Sequence, residues 1–190
     1  ERIALGEVET RWSGALYGGG FRLEDREGLI REVRALRTRA SPEALFRSFA
    51  SLGGERGWLV WNWAWALRGF LDRLLGGPGL RRGRRHPTEL LPGEAVDFWR
   101  VEAVEPPRLL RLRAEMRLPG RAWLEWEARE AEGGSLLVQT AYFEPKGLTG
   151  FLYWWALYPI HRRIFSDLAR AIVREAEAQA EAPPRGGGAG

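Results

Sequence analysis

The chain has 190 residues, of which 45% are hydrophobic and 28% are charged, which is typical of one folded globular domain. It has no cysteine and only two histidines, His86 and His161, so disulfides, thiolate zinc sites, cysteine nucleophiles and histidine-rich metal sites are excluded. The net charge is +4, but acidic residues are interleaved with the basic ones along the chain. This interleaving argues against a nucleic-acid partner.

The start of the chain and its longest apolar stretches bear on the cellular location of the protein. No basic and then apolar leader opens the sequence, and no uncharged stretch is long enough to span a bilayer, so we expect a cytoplasmic protein. Because the chain starts at Glu1, we also expect it to be part of a longer protein. The predicted organisation is an N-terminal arm or linker over residues 1–30, one domain over residues 31–182 and a flexible tail over residues 183–190.

The predicted domain begins with a strand and two helices. From Arg31 apolar and polar residues alternate, which predicts a strand. Ser41 followed by Pro42 predicts a helix start, and Gly53-Gly54 predicts the end of that helix. Residues 57–75 predict a second helix, although the Trp-Leu-Val-Trp stretch at 58–61 could begin as a strand.

The apolar pattern then changes to a period of two. Strands are predicted over 94–104, 108–118, 122–129 and 135–145, which together form an antiparallel meander. In the third of these strands, Trp126 falls on the inward, apolar side, whereas Trp123 falls on the outward side. The outward side also carries Glu125 and Glu127, which we interpret as solvated ion-pair partners rather than as a catalytic carboxylate pair.

A long helix is predicted over residues 149–182, with Pro159 expected to kink or split it. The predicted order is therefore a strand, two helices, a series of antiparallel strands and a long helix. This order is typical of an α+β fold in which a curved antiparallel sheet surrounds the C-terminal helix.

Three stretches of the sequence resemble a known family. They are GGPGLRRGRRHP at 76–87, VDFWRVEAVEPPRLLRLRAEM at 96–116 and FLYWWALYPIHRRIF at 151–165. The chain resembles the DUF2867 family of the SRPBCC, or START-like and Bet v 1-like, helix-grip superfamily. The resemblance implies a helix-grip fold with a ligand cavity, often C-terminal to an NAD(P)-binding, dehydrogenase-like Rossmann domain. No dinucleotide-binding motif occurs in this chain, so we expect it to hold no cofactor of its own and NAD(P) to bind, if at all, in a preceding domain.

Aromatic and polar residues on the predicted strands and the last helix are the candidates for such a cavity, which we expect Trp99, Trp126 and Tyr158 to border. The alternative is that these residues only fill the core. The face taken by Asp97 is undecided, because apolar side chains fall on both sides of its strand. The cavity candidates are Asp97, Phe98, Trp99, Trp126, Tyr142, Trp154, Tyr158 and His161.

Two further clusters have alternative interpretations. The tryptophans Trp58, Trp61 and Trp65 could form the core or a lid, a domain interface, or a membrane contact, which the lack of a basic helix face disfavours. A basic segment could bind a phosphate or carboxylate, or could be a solvated loop. Its arginines are Arg81, Arg82, Arg84 and Arg85.

No catalytic or metal-binding residues are predicted. His161, Ser166 and Asp167 have the residue types of a catalytic triad, but their spacing on one helix prevents the first two from aligning. The leading hypothesis is a binding module for a hydrophobic, aromatic or lipid-like small molecule beside an oxidoreductase domain. The alternatives are the substrate pocket of an NAD(P)-dependent enzyme whose Rossmann domain is absent here, and a structural or membrane-docking domain.

Overall fold

A computed structural model of the chain describes residues 20–26, 28–77, 79, 86 and 89–181. A short 3-10 turn, Gly54–Arg56, lies between the first two helices. In chain order, the strands and α-helices of these ranges are β1 (Gly20–Arg26), β2 (Leu29–Thr38), α1 (Pro42–Ala50), α2 (Asn62–Leu74), β3 (Ala95–Val96), β4 (Trp99–Glu105), β5 (Leu109–Ala114), β6 (Gly120–Ala131), β7 (Gly134–Pro145) and α3 (Gly147–Glu181).

The strands form one antiparallel sheet in the order β1-β2-β7-β6-β5-β4-β3. Strand β2 pairs with β7, with Ile30 opposite Phe143, and this pairing joins the N-terminal hairpin to the C-terminal meander. Helices α1 and α3 pack against one face of the sheet, which we call the inner face. This is a helix-grip fold, and it confirms the fold class predicted from the sequence.

The inner face of the sheet and one side of α3 form the main core. Leu124 and Trp126 of β6 are completely buried in one cluster with Leu168 and Ile172 of α3. The hydroxyl of Ser48 on α1 donates to the carbonyl of Ile172 at 3.0 Å, so α1 is fixed to α3. The periodicity of β5 and β6 therefore correctly predicted which side faces the core. In β2, by contrast, Val33 and Ala35 form a separate small cluster with Leu136 and Val138 on the outer face.

The second helix begins later than predicted. Leu59 and Trp61 have φ angles of 63° and 54°, so the chain turns sharply before α2 begins at Asn62. The side-chain oxygen of Asn62 accepts from the backbone N–H of Trp58 at 2.9 Å and closes this turn. Residues 58–61 are neither helix nor strand, because the turn directs the Trp58 side chain into the core instead.

The strand predicted over residues 94–104 is a hairpin in the structure. Val96 lies opposite Trp99, and Asp97 and Phe98 form the turn between β3 and β4. Asp97 has a φ of 55°, a left-handed conformation that Asp tolerates better than most residues. Because the turn interrupts the alternation, Val96, Phe98 and Trp99 are all buried, which is why the sequence showed apolar side chains on both sides.

The remaining boundaries differ from the predictions in smaller ways. Residues 20–30, interpreted as part of an arm or linker, form β1 and the start of β2. Helix α3 continues through Pro159 without being split. The predicted tail over 183–190 lies outside the described residues, as do residues 1–19. None of the helices in the described ranges has the length and apolar character needed to cross a membrane.

Candidate functional site

A cavity of about 350 Å³ lies between the inner face of the sheet and the helices α2 and α3. Its sheet wall is formed by residues of β4, β5, β6 and β7, and its helical wall includes Trp65, Leu71, Leu157 and Ile164. The volume lies at the lower end of the range of small-molecule sites, and the lining is predominantly apolar. The cavity is therefore large enough for a small ligand and suited to an apolar one.

Two aromatic clusters form the inner walls of the cavity. On one side Trp99 packs against Phe98, with ring centroids 5.5 Å apart, and against Trp58 at 6.1 Å. On the other side Trp154 stacks on Phe143, with centroids 5.2 Å apart and an interplanar angle of 14°. Both clusters are fixed by packing on the sheet, so these two walls are rigid.

Three buried nitrogen atoms of cavity-lining side chains have no hydrogen-bond partner among the described residues. They are the indole nitrogens of Trp99 and Trp154 and Nδ1 of His161. The two indoles can only donate, whereas a neutral imidazole nitrogen donates or accepts according to its tautomer. A buried donor without a partner costs about 1–3 kcal/mol.

His161 and Arg68 give the cavity its electrostatic character. Burial, together with the smaller effect of the positive charge of Arg68, lowers the pKa of His161 to about 4. The His161 ring is therefore neutral at neutral pH. Arg68 donates to the hydroxyl of Tyr153 at 2.6 Å and forms no ion pair with any carboxylate among the described residues.

Four of the predicted site residues line the cavity, namely Trp99, Tyr142, Trp154 and His161. Asp97 and Phe98 lie behind the cavity wall instead. The Asp97 carboxylate accepts from the indole N–H of Trp58 and from the backbone N–H of Gly54, and Phe98 is completely buried against Trp58. These contacts give Asp97 and Phe98 a structural role.

Three predicted residues make their main contacts away from the cavity interior, namely Trp126, Tyr142 and Tyr158. Trp126 is completely buried and does not reach the cavity, because its indole donates to Gln139 at 2.9 Å. Tyr142 borders the sheet wall, but its hydroxyl donates to Glu125 on the outer face at 3.2 Å, and burial raises its pKa to about 12. Tyr158 packs beside Trp154, outside the cavity lining.

The predicted tryptophan cluster is divided between the core and a surface contact. Trp58 and Trp65 are buried in the core, and Trp65 also lines the cavity. Trp61 donates from its indole nitrogen to Asp167 at 2.9 Å, so Asp167 is occupied by that contact and by Arg163. The candidate anion-binding residues Arg81, Arg82, Arg84 and Arg85 lie outside the described residues.

Arg68 and Tyr153 are site residues that the sequence analysis did not identify. Arg68 is the only charged residue between Trp58 and Leu71, and this isolation was a signal that could have identified it. Tyr153 had no such signal, because it belongs to a run of aromatic residues at the start of α3. Within the described ranges, no group of three or more His, Asp or Glu side chains could hold a metal ion.

A curved antiparallel sheet around a long C-terminal helix, with an apolar cavity between them, defines this chain as a helix-grip protein. The chain belongs to the DUF2867 family, described as proteins of unknown function, whose family model matches residues 26–168. This match confirms the resemblance seen in the sequence. A search of curated protein sequences returns no match.

Several solved structures share the general arrangement at low identity. The di-domain aromatase/cyclase StfQ of steffimycin biosynthesis aligns with a TM-score of 0.49 and 12% identity over 81% of this chain and 52% of its own. Ara h 8.0201 aligns with a TM-score of 0.48 and 12% identity over 80% of this chain and 99% of its own. CalU16 from Micromonospora echinospora aligns with a TM-score of 0.38 and 14% identity over 85% of this chain and 94% of its own.

Proposed function

We propose that the chain binds a hydrophobic, aromatic or lipid-like small molecule in the cavity between the sheet and the helices α2 and α3. The observation that carries this proposal is the cavity itself, about 350 Å³ between walls that are mostly apolar. Transfer of an apolar ligand from water into such a site is favourable by about 25 cal/mol for each Å² of apolar surface buried.

The ligand carries an acceptor oxygen in addition to its apolar body. Trp99 and Trp154 both line the cavity, and neither indole N–H has a partner among the described residues. A carbonyl or ether oxygen would satisfy one or both donors, whereas a pure hydrocarbon would leave them unpaired. The absence of any carboxylate paired with Arg68 within the described ranges also favours an oxygen-bearing ligand.

A matched pair of aromatic probes tests both parts of the proposal. The probes are 2-acetylnaphthalene and 2-ethylnaphthalene, which have nearly the same shape but differ in a carbonyl oxygen. Calorimetric titration should show saturable binding of both, with the ketone bound about fivefold more tightly, since one hydrogen bond contributes about 1 kcal/mol. Trp99→Phe, which removes one donor and keeps an aromatic ring, should reduce this preference.

A variant that fills the cavity provides the control for location. Ala114 lies opposite Trp99 on β5 and lines the cavity, so Ala114→Phe should abolish binding of both probes. Ala156→Phe adds the same ring at an exposed position of α3 that does not line the cavity, and it should leave binding unchanged. Equal binding by the two variants would refute the proposal.

The oxidoreductase context implied by the family resemblance stays a prediction. If a dehydrogenase-like domain precedes residue 1 in the natural protein, the cavity would hold the substrate of that domain. The coding sequence upstream of Glu1 tests this, since a strand followed by a glycine-rich turn and a helix would indicate a dinucleotide-binding domain.

A further inference from the structure

One side of α2 exposes large apolar side chains to solvent around the opening of the cavity. They are between 49% and 69% exposed, and four of them also line the cavity. We call this surface the α2 patch, and it consists of Trp63, Leu67, Phe70, Leu71, Leu74 and Leu75. Ile160 of α3, which is 41% exposed and also lines the cavity, extends the apolar surface across the opening.

The packing of α2 onto the domain does not require these exposed side chains. The buried residues of α2 are Trp65, Gly69 and Asp72, which lie on its opposite side. Asp72 is fully engaged, since its carboxylate accepts from the backbone N–H groups of Arg117 at 2.8 Å and Gly79 at 2.9 Å. A contiguous exposed patch of large apolar residues on a folded domain is typical of a surface that contacts another molecule.

The charged residues on the two segments that form the patch and the cavity opening are mainly basic. Between Asn62 and Leu75 the only acidic residue is the buried Asp72, and between Gly147 and Ser166 there is none. The same segments carry Arg73, Arg162 and Arg163, all exposed, in addition to Arg68 at the cavity. One partly exposed carboxylate, Asp167, pairs with Arg163 at 3.3 Å. An apolar surface with more arginines than carboxylates around it complements a negatively charged, partly apolar partner.

We propose that the α2 patch docks onto the surface of an anionic lipid bilayer. Leucine, phenylalanine and tryptophan on one side of a surface helix, with arginines beside them, are the features of a helix that lies in the membrane interface without crossing it. The sequence analysis disfavoured membrane contact because no basic helix face accompanies Trp58, Trp61 and Trp65. The structure buries Trp58 and Trp65 and exposes Trp63 and Phe70 instead.

The position of the patch links membrane docking to the ligand binding proposed above, on which this step rests. Trp63, Leu67, Leu71 and Leu75 belong both to the patch and to the cavity wall, so the cavity opens at the docking surface. A lipid-like ligand would pass between the bilayer and the cavity without crossing water. Docking itself requires no cavity ligand, so the following experiment can fail or succeed independently of the naphthalene titrations.

Co-sedimentation of the whole chain with vesicles tests the proposal. The vesicles are phosphatidylcholine alone or phosphatidylcholine mixed with phosphatidylglycerol, and the chain should bind the anionic mixture at least tenfold more tightly. Trp63→Ser combined with Phe70→Ser should reduce binding to the anionic vesicles at least tenfold. Leu148→Ser combined with Leu152→Ser, a matched change of exposed apolar residues elsewhere on the surface, should leave binding unchanged.

A charge reversal provides a second readout that does not alter the apolar surface. Arg73→Glu should weaken binding to the anionic vesicles about tenfold, whereas Arg174→Glu, at the far end of α3, should change it little. Equal binding to both kinds of vesicle, or unchanged binding by the Trp63/Phe70 variant, would overturn the proposal. So would a patch that instead forms a dimer in solution and leaves the vesicles unbound, because the partner would then be protein.

Discussion

The Asp97 carboxylate accepts a hydrogen bond from the indole nitrogen of Trp58 at 2.8 Å, and this bond joins the β3–β4 turn to the segment before α2. The same oxygen accepts from the backbone N–H of Gly54 at 3.3 Å. Gly53 packs so closely on this turn that an added Cβ would lie 2.5 Å from Val96. The two segments thus form one rigid support behind Trp99, which lines the cavity.

We predict that Asp97→Ala lowers the free energy of unfolding by about 2–4 kcal/mol, because both donors lose their buried acceptor. Asp97→Asn should be less damaging, since it retains an acceptor oxygen and tolerates the positive φ. Chemical denaturation of both variants measures the effect. Asp25→Ala, an exposed position on β1, is the control and should remain within about 0.5 kcal/mol of the unchanged protein.

A second prediction compares two tryptophans of β6. Trp126→Phe should destabilise the fold by about 1–3 kcal/mol, because the side-chain oxygen of Gln139 loses its buried donor while the nitrogen of Gln139 still donates to the carbonyl of Phe165. Trp123→Phe should have a small effect, since Trp123 lies on the outer face and donates a long hydrogen bond of 3.3 Å to Glu102. Equal losses in thermal or urea unfolding would contradict this assignment of faces.

The third prediction concerns pH. His161 has a pKa near 6.5 when unfolded but about 4 when folded, so above pH 6.5 both states are neutral and its contribution to stability is complete. As the pH falls from 6.5 to 4, the unfolded state binds more protons, and the contribution should decline by on the order of 3 kcal/mol. His161→Gln should flatten the stability curve over this interval.

Nuclear magnetic resonance gives a direct check, because the chain has only two histidines. The His161 ring should titrate near pH 4, and Arg68→Gln should move that midpoint upward by removing a neighbouring positive charge. A His161 midpoint near 6.5 in the folded protein would show that the ring is solvated and that the cavity wall is open at this position.

The fourth prediction is that this chain alone binds no NAD(P), because it lacks a glycine-rich turn between a strand and a helix. Calorimetric titration with millimolar cofactor should show no saturable heat. Saturable binding that disappears on replacing Arg82 and Arg84 with alanine would contradict the prediction and identify the basic segment as a phosphate site.

The apolar periodicity and the helix-capping residues correctly predicted an element when only one side of that element packs in the core. The alternation around Trp123 and Trp126 assigned each to the correct side of β6, and Ser41 with Pro42 marked the start of α1, where the Ser41 hydroxyl accepts from the N–H of Ala44. The same patterns failed at the Asp97-Phe98 turn and before Asn62. At both places residues with positive φ interrupt the period. The long-range bond from Trp58 to Asp97 and the local bond from Trp58 to Asn62 stabilise those conformations.

By itself, the sequence determined the fold class, the family and the inner sides of β5 and β6, because these depend on periodicity and on residues close together in the chain. Only the tertiary structure decided which side chains form the cavity and which are exposed around it. Arg68 and Tyr153 meet across 85 positions of sequence, and Trp126 lies in the core rather than at the cavity because Gln139 engages its indole. Such contacts depend on strand register and on helix packing between segments that are distant in the chain. The periodicity within one segment does not specify either of these.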